Sequence, residues 1–466
     1  MRKNVKNTIN NTQKSVIYID NIAFMCYNLL NWRLIMERKI YKELLKWKND
    51  SLRKPLILQG ARQVGKTYIV NYFAGKEYSN CIYCNFEKEK SLEDFFKDLN
   101  PLTILRKLAI YKRKEILPGR TLIIFDEVQA SPQAITSLKY FYEEAKEYHI
   151  IALGSLLGVS VNRENFSFPV GKVQFLTMYA MDFEEYLLAK GEEYLVEQIK
   201  MCYQTNTPMD IPFHERALDY YKEYLFVGGM PEVVDEYNKN GNTELARIAQ
   251  HTILESYHND MGKYNKQSEI PKTRIVYKNI STQLAKENKK FQYKYVKSGG
   301  RASEFEGAIE WLCLAGIASQ LYRIEQILLP LNAYRSLSDF KFYMNDTGLC
   351  GASQDIHFDD IQGNSPLLQN FKGGLTENYV FNQLTSSGMV LYYWTSGNQA
   401  EVDFIARIGK DIIPIEVKSS ENTRSRSLSV YVKAHSPKYA IRLSMRNFGL
   451  ENGIKSVPLY AAFCIK

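Results

Sequence analysis

The sequence predicts an α/β protein: a parallel sheet first, then a helical lid, a three-helix segment ending in a β-pair, and a second α/β unit. Three observations carry that expectation. Leu56–Thr67 reads as a short buried strand, a loop with two glycines, and Lys-Thr opening a helix. Thr121–Glu127 is an apolar run that ends in two acids. Strand-like and helix-like runs alternate around both, the pattern of a parallel sheet with ligands at its strand ends.

Composition sets the frame. A chain of 466 residues, 45% hydrophobic and 24% charged, is expected to form about three domains, each able to bury a core. The formal charge of +9 suits a polyanionic partner without requiring one. Seven cysteines, an odd number, point to reduced thiols and a cytoplasmic location. Cys81 and Cys84 form a lone C-x-x-C in a strand-like run, where core packing is the better reading than zinc or redox chemistry. The apolar run Val16–Met36 carries Asp20, Asn21, Asn28, Asn31 and Arg33, too many polar groups for a membrane span. Residues 1–35 are expected to be an extension, disordered over its first fifteen residues, with Met36 the natural start.

The expected units follow in chain order: a nucleotide-binding core at 36–190, a lid and connector at 191–270, a winged-helix-like segment at 271–350 and a C-terminal domain at 351–466. Gly60-Ala61-Arg62-Gln63-Val64-Gly65-Lys66-Thr67 fits G-x-x-x-x-G-K-[ST], the P-loop, between a strand and a helix. The two glycines allow backbone N–H groups to approach phosphate oxygens, and the helix start adds its positive dipole end. Lys66 is expected at the β/γ-phosphates of ATP and the Thr67 hydroxyl on Mg²⁺. Asp126 is expected to hold the same Mg²⁺, and Glu127 to orient or deprotonate the attacking water. His149–Ser155 reads as a further buried strand, with Ser155 either a γ-phosphate sensor or a plain turn serine.

With Gly154-Ser155, Phe183-Glu184-Glu185-Tyr186 and Gly228-Gly229-Met230-Pro231-Glu232 added, the chain from residue 36 on resembles a family of prokaryotic AAA-type ATPases that carry a C-terminal domain of unknown function. The resemblance implies an AAA-type core that works as a homo-oligomer, with an arginine supplied in trans. Arg163 is a candidate for that arginine, and a surface arginine is the plainer reading.

From Lys272, helical spacing through Ile275, Tyr277, Ile280 and Leu284, a helix from Ser303, and strands near Ile317–Tyr322 and Lys341–Met344 give the winged-helix order, which the resemblance also implies. Ser298, Arg301 and Ser303 are candidate DNA contacts, and protein interaction is the competing use of such a module. In the last hundred or so residues, Gly374–Phe381 is expected to begin a helix with Glu377 in its first turn. Two further strands then carry Asp403 and Glu416-Val417-Lys418 across a hairpin at Gly409–Asp411. Asp403 and Glu416 are expected to clamp a second Mg²⁺ or Mn²⁺, with Glu377 completing the site and Lys418 either holding a water or polarising a scissile phosphate. This is the D…E-x-K pattern of restriction-endonuclease-like nucleases, PD-(D/E)xK, and the resemblance places the same fold here. Basic residues from Arg424 to Arg446 suit a phosphate backbone. Two functions follow: an ATP-hydrolysing machine whose C-terminal domain binds or cleaves DNA, or a nucleotide-controlled switch or scaffold that binds a protein partner, with an inactive nuclease-like domain.

Overall fold

The computed structural model describes residues 36–154, 168–286, 289–363, 368–397, 400–420 and 426–466. The expectations for residues 1–35, Ser155, Arg163 and Arg424 lie outside them. Among the described residues, no helix is long and apolar enough to cross a membrane.

Five strands, β1 (Leu56–Gln59), β2 (Asn80–Asn85), β3 (Thr121–Asp126), β4 (His149–Leu153) and β5 (Gln174–Thr177), form a sheet in the order β2-β3-β4-β1-β5. Every pairing in it is parallel. Side chains alternate between its faces, so each strand feeds two cores. Leu56, Leu58, Ile124 and Ile151 pack on one side with Ile69, Val70 and Phe73 of α2 (Lys66–Glu77), which follows α1 (Ile40–Asn49). Ile57, Ile123, Phe125 and Ile150 pack on the other with α3 (Pro101–Lys112) and α4 (Pro132–Glu144). Cys81 joins the first side and Cys84 the second, so the C-x-x-C is a pair of packing residues on opposite faces. Asn100 and Ser131 cap α3 and α4 by accepting from Thr103 N and Ala134 N, and a proline stands at the start of each helix.

A helical layer follows: α5 (Phe183–Ala189), α6 (Glu193–Thr205), α7 (Ile211–Val227), α8 (Pro231–Asn240) and α9 (Thr243–Tyr264). Asp182 and Glu185 close a capping box on α5. The break between α7 and α8 is a crossing point of three segments. Gly229 N donates to Asp346 Oδ2 at 2.7 Å, and Gly229 O accepts from Met181 N at 2.7 Å. A Cβ at Gly229 would stand 2.0 Å from Met181 O, which is backbone and cannot turn away. Gly229→Ala is therefore expected to cost about 1–3 kcal/mol or more in urea unfolding. Gly75→Ala, on the open face of α2 with nothing within 4 Å, should instead gain about 0.5–1 kcal/mol.

The segment after α9 holds α10 (Ile270–Leu284), α11 (Tyr293–Val296), α12 (Ala302–Leu314), β6 (Ala318–Ile324) and β7 (Arg335–Met344), in the expected helix-helix-helix-strand-strand order. Its two strands do not stand alone. With β8 (Leu391–Thr395), β9 (Glu401–Ile408), β10 (Asp411–Val417), β11 (Ala440–Ser444), β12 (Gly449–Glu451) and β13 (Ile454–Pro458) they make one mixed sheet, β12-β13-β11-β10-β9-β8-β6-β7. β6 pairs parallel with β8, so the sheet runs through the boundary expected at residue 350. Short helices α13 (Thr347–Ala352) and α14 (Phe358–Gln362), then α15 (Gln369–Ser386) and α16 (Arg426–His435), complete the chain.

Helix α15 departs from expectation. It begins at Gln369, so Glu377 sits in mid-helix and not in the first turn. Gly374, expected at the helix start, instead permits a close crossing. A Cβ there would lie 2.2 Å from Leu284 O, so its absence lets α10 and α15 touch backbone to backbone.

Candidate functional site

The first site grows out of β1. Gly60 turns the chain with φ +145°, Gly65 with φ +94°, and α2 starts at Lys66 with no side chain capping its first N–H groups. Those free donors and the positive end of the helix dipole suit an anion. The Lys66 ammonium lies over the loop and donates to Gly60 O at 2.8 Å and Ala61 O at 2.7 Å. Val64 is buried behind it, and Gln63 turns in the left-handed region at φ +67°. Burial pulls the Lys66 pKa down to about 8, against the pull of the Glu127 and Asp126 carboxylates. A triphosphate restores the charged form, so binding strength that relies on the ammonium holds below pH 8 and is lost as pH rises through it. ATP affinity measured from pH 7 to 9.5 should weaken above about 8, and a Lys66→Arg chain should lose that dependence.

Strand order brings the acids near the loop, because β4 alone separates β3 from β1. Asp126, buried at the tip of β3, accepts from the Thr67 hydroxyl at 3.2 Å and from the Tyr83 hydroxyl on the same oxygen. Thr67 Oγ1 and Asp126 Oδ2 thus meet beside Lys66, a hard-oxygen donor pair that fits Mg²⁺. Glu127 follows with φ +50°; its N–H donates to Asp126 Oδ1 at 2.9 Å, and its Oε2 accepts from Gln129 Nε2 at 2.5 Å. Burial raises the Glu127 carboxyl above the usual range, the direction a base working near neutral pH needs.

Several residues that hold this loop were not legible in the sequence. Arg62 pairs with Asp260 of α9 at 2.5 Å, and the Tyr257 hydroxyl donates to Arg62 O at 3.1 Å. Arg38, buried ahead of α1, donates to Val64 O at 2.9 Å and pairs with Glu185 at 3.2 Å. The buried acids of Phe183-Glu184-Glu185-Tyr186 were the available signal, since a carboxylate facing a core requires a cation. A cavity of about 260 Å³ lies between Gly60, Ala61 and Val64 on one side and Tyr257, Gly316 and Asp346 on the other.

The second site lies in the mixed sheet. The structure brings Glu377, Asp403, Glu416 and Lys418 together, as the hairpin register Ile415↔Phe404 requires. Asp403 Oδ2 accepts from Val417 N at 2.8 Å, and Lys418 pairs with Glu416 at 2.7 Å. Four groups were not foreseen. Among the described residues, the carboxylates that converge as metal donors are Glu377, Glu401 and Asp403, so Glu401 joins the cluster. Lys341 of β7 is 0% exposed and bonds Glu377 and Glu401, each at 2.6 Å, while Lys289 bonds the other Glu377 oxygen. The Tyr343 hydroxyl donates to Glu377 at 2.5 Å. Despite its burial, Glu377 is held well below the ordinary carboxylate range by Lys289 and Lys341. Asp403 is pushed well above it by burial, then by Glu377 and Glu416. The signal for Lys341 was alternation: Asp339, Lys341 and Tyr343 share one face of β7, opposite Phe340, Phe342 and Met344.

Comparison with known proteins places one described family over the first site and domains of unknown function over the second. A family model described as an AAA domain matches residues 52–187. Two models described as domains of unknown function match residues 218–360 and 372–462. No curated protein matches. Among solved structures, the chain is similar to the Walker-type ATPase PABY2304 of Pyrococcus abyssi, with 16% identity over 69% of this chain and 96% of that one, at a TM-score of 0.41. It is also similar to the ORC2 protein of Aeropyrum pernix, with 13% identity over 70% and 91% of the two chains and a TM-score of 0.32. RuvB of Thermotoga maritima matches with 13% identity over 60% and 88%, at a TM-score of 0.27. Residues 52–187, the stretch that the AAA domain model matches, thus hold the P-loop and the paired acids at the ends of a parallel sheet.

Proposed function

We propose that the chain binds ATP with Mg²⁺ through Gly60–Thr67 and Asp126, and hydrolyses it with Glu127 as base. The nucleotide state is then passed to a winged-helix-like segment and a nuclease-like domain that contacts DNA. The observation that carries the ATPase reading is the meeting of Thr67 Oγ1 and Asp126 Oδ2 at 3.2 Å beside a buried Lys66. Thr67 and Asp126 would hold Mg²⁺ there, and it would supply charge neutralisation for the phosphates. Lys66 orients the β/γ-phosphates, the loop N–H groups hold their oxygens, and Glu127 takes the proton of the attacking water. Helix α9 supports the relay, because its Tyr257 and Asp260 grip the loop through Arg62 while its end leads into α10.

Two points support the DNA reading: Arg301 and Ser303 at the start of α12, and a basic run from Lys286 to Arg301 whose Lys286 lies over the Tyr295 ring. The competing reading, a scaffold with an inactive nuclease-like domain that serves a protein partner, is favoured by the lysines filling the C-terminal acid cluster. Work as a homo-oligomer, with an arginine such as Arg163 reaching a neighbour's nucleotide, belongs to the same proposal. A fluorescent ATP analogue titrated into wild type should bind, and Lys66→Ala should not. Retention of duplex DNA on a filter should change with ATP; retention that ignores nucleotide in wild type would remove the relay to DNA.

A further inference from the structure

The C-terminal cluster has the acids of a metal-dependent nuclease but a different occupant. Glu377 accepts from Lys341 at 2.6 Å and from Tyr343 at 2.5 Å on one oxygen, and from Lys289 on the other. Three of its roughly four lone-pair positions are therefore in use. Lys341 also holds Glu401 at 2.6 Å, so its ammonium stands between two of the three converging carboxylates. A divalent ion binding those same oxygens at about 2.0–2.1 Å would sit against a trapped like charge, away from the bulk water that would screen it.

Lys341 cannot easily withdraw. It lies on β7 opposite Leu321 of β6, its ring neighbour is Tyr393 at 5.1 Å, and none of its surface reaches solvent. Lys289, in the loop between α10 and α11, keeps 21% of its side chain exposed and is the exchangeable member. The two lysines come from the segment preceding the acids in the chain, so that segment supplies the counter-charge of the C-terminal centre.

We propose that Lys341 is the resident cation of this centre: its ammonium stands between Glu377 and Glu401, two of the three carboxylates that converge as metal donors, and the centre closes without metal. The inference rests on the nuclease-like reading of the C-terminal domain and narrows it to binding without metal-dependent cutting. Glu377, Glu401 and Asp403 then hold sheet and helix in register, while Lys289 and Lys418 present ammonium groups at the rim.

Mn²⁺ binding to the full chain, read by the loss of the free-ion EPR signal with nucleotide left out, tests this. Wild type should retain no Mn²⁺, Lys289→Met should also retain none, and a folded Lys341→Met chain should take up one ion that Asp403→Asn then removes. Mn²⁺ held by wild type and lost in Asp403→Asn overturns the proposal and strengthens the nuclease reading. Uptake by Lys289→Met alone overturns it by making Lys289 the occupant. A folded Lys341→Met chain that takes no Mn²⁺ overturns both the proposal and the nuclease-like reading. Should Lys341→Met not fold, the wild-type and Lys289→Met measurements still decide.

Discussion

Glu127→Gln should bind ATP as wild type does and hydrolyse it about 10²–10⁴-fold more slowly, the usual contribution of a positioned general base. The amide keeps the size of the carboxyl and an oxygen for Gln129 Nε2, so the loop at φ +50° need not rearrange. What it loses is the capacity to take a proton from water beside the phosphates. Single-turnover hydrolysis separates this from a binding defect. Wild-type turnover should also decline on the acid side, because burial raises the Glu127 carboxyl and protonates it at a higher pH than an exposed acid. Unchanged hydrolysis by Glu127→Gln would reject the assignment.

Lys341→Ala is expected to cost about 3–5 kcal/mol of unfolding free energy, the range for breaking a buried ion pair by removing one partner. Glu401, on the surface side, can turn to water, but Glu377 cannot, being enclosed in mid-helix with Lys289 and Tyr343 as its remaining partners. Urea midpoints give the measurement. Lys46→Ala, which removes an exposed pair with Glu43, serves as the contrast and should change stability by about 1 kcal/mol or less.

The first candidate site was legible because its residues are local. Gly60 through Thr67 are consecutive, and Asp126 ends, and Glu127 follows, a strand whose apolar run announces its burial, so only the strand order remained for the structure to supply. The residues that brace the loop were hidden by distance: Arg62 and Asp260 stand 198 residues apart, and no pattern near either names the other. In the C-terminal half, Asp403 and Glu416 could be paired because a tight hairpin sets their register. Lys341 and Glu401 could not, because β7 reaches that centre through a sheet whose non-sequential β6–β8 pairing leaves no local trace. Glu377 stands in mid-helix and not in a first turn, since Gly374 serves interhelical contact and not helix initiation.

One apolar network joins Leu44 and Phe73 beneath the nucleotide loop, Tyr224 and Val233 of the helical layer, and Tyr379 and Phe463 near the C-terminus. Bodies welded along such a seam do not swing apart on a free pivot; whatever a phosphate's arrival does at Arg62 must travel as small slips of packed layers past one another. A chain severed near residue 350 would consequently yield two sticky halves, neither of them a working module.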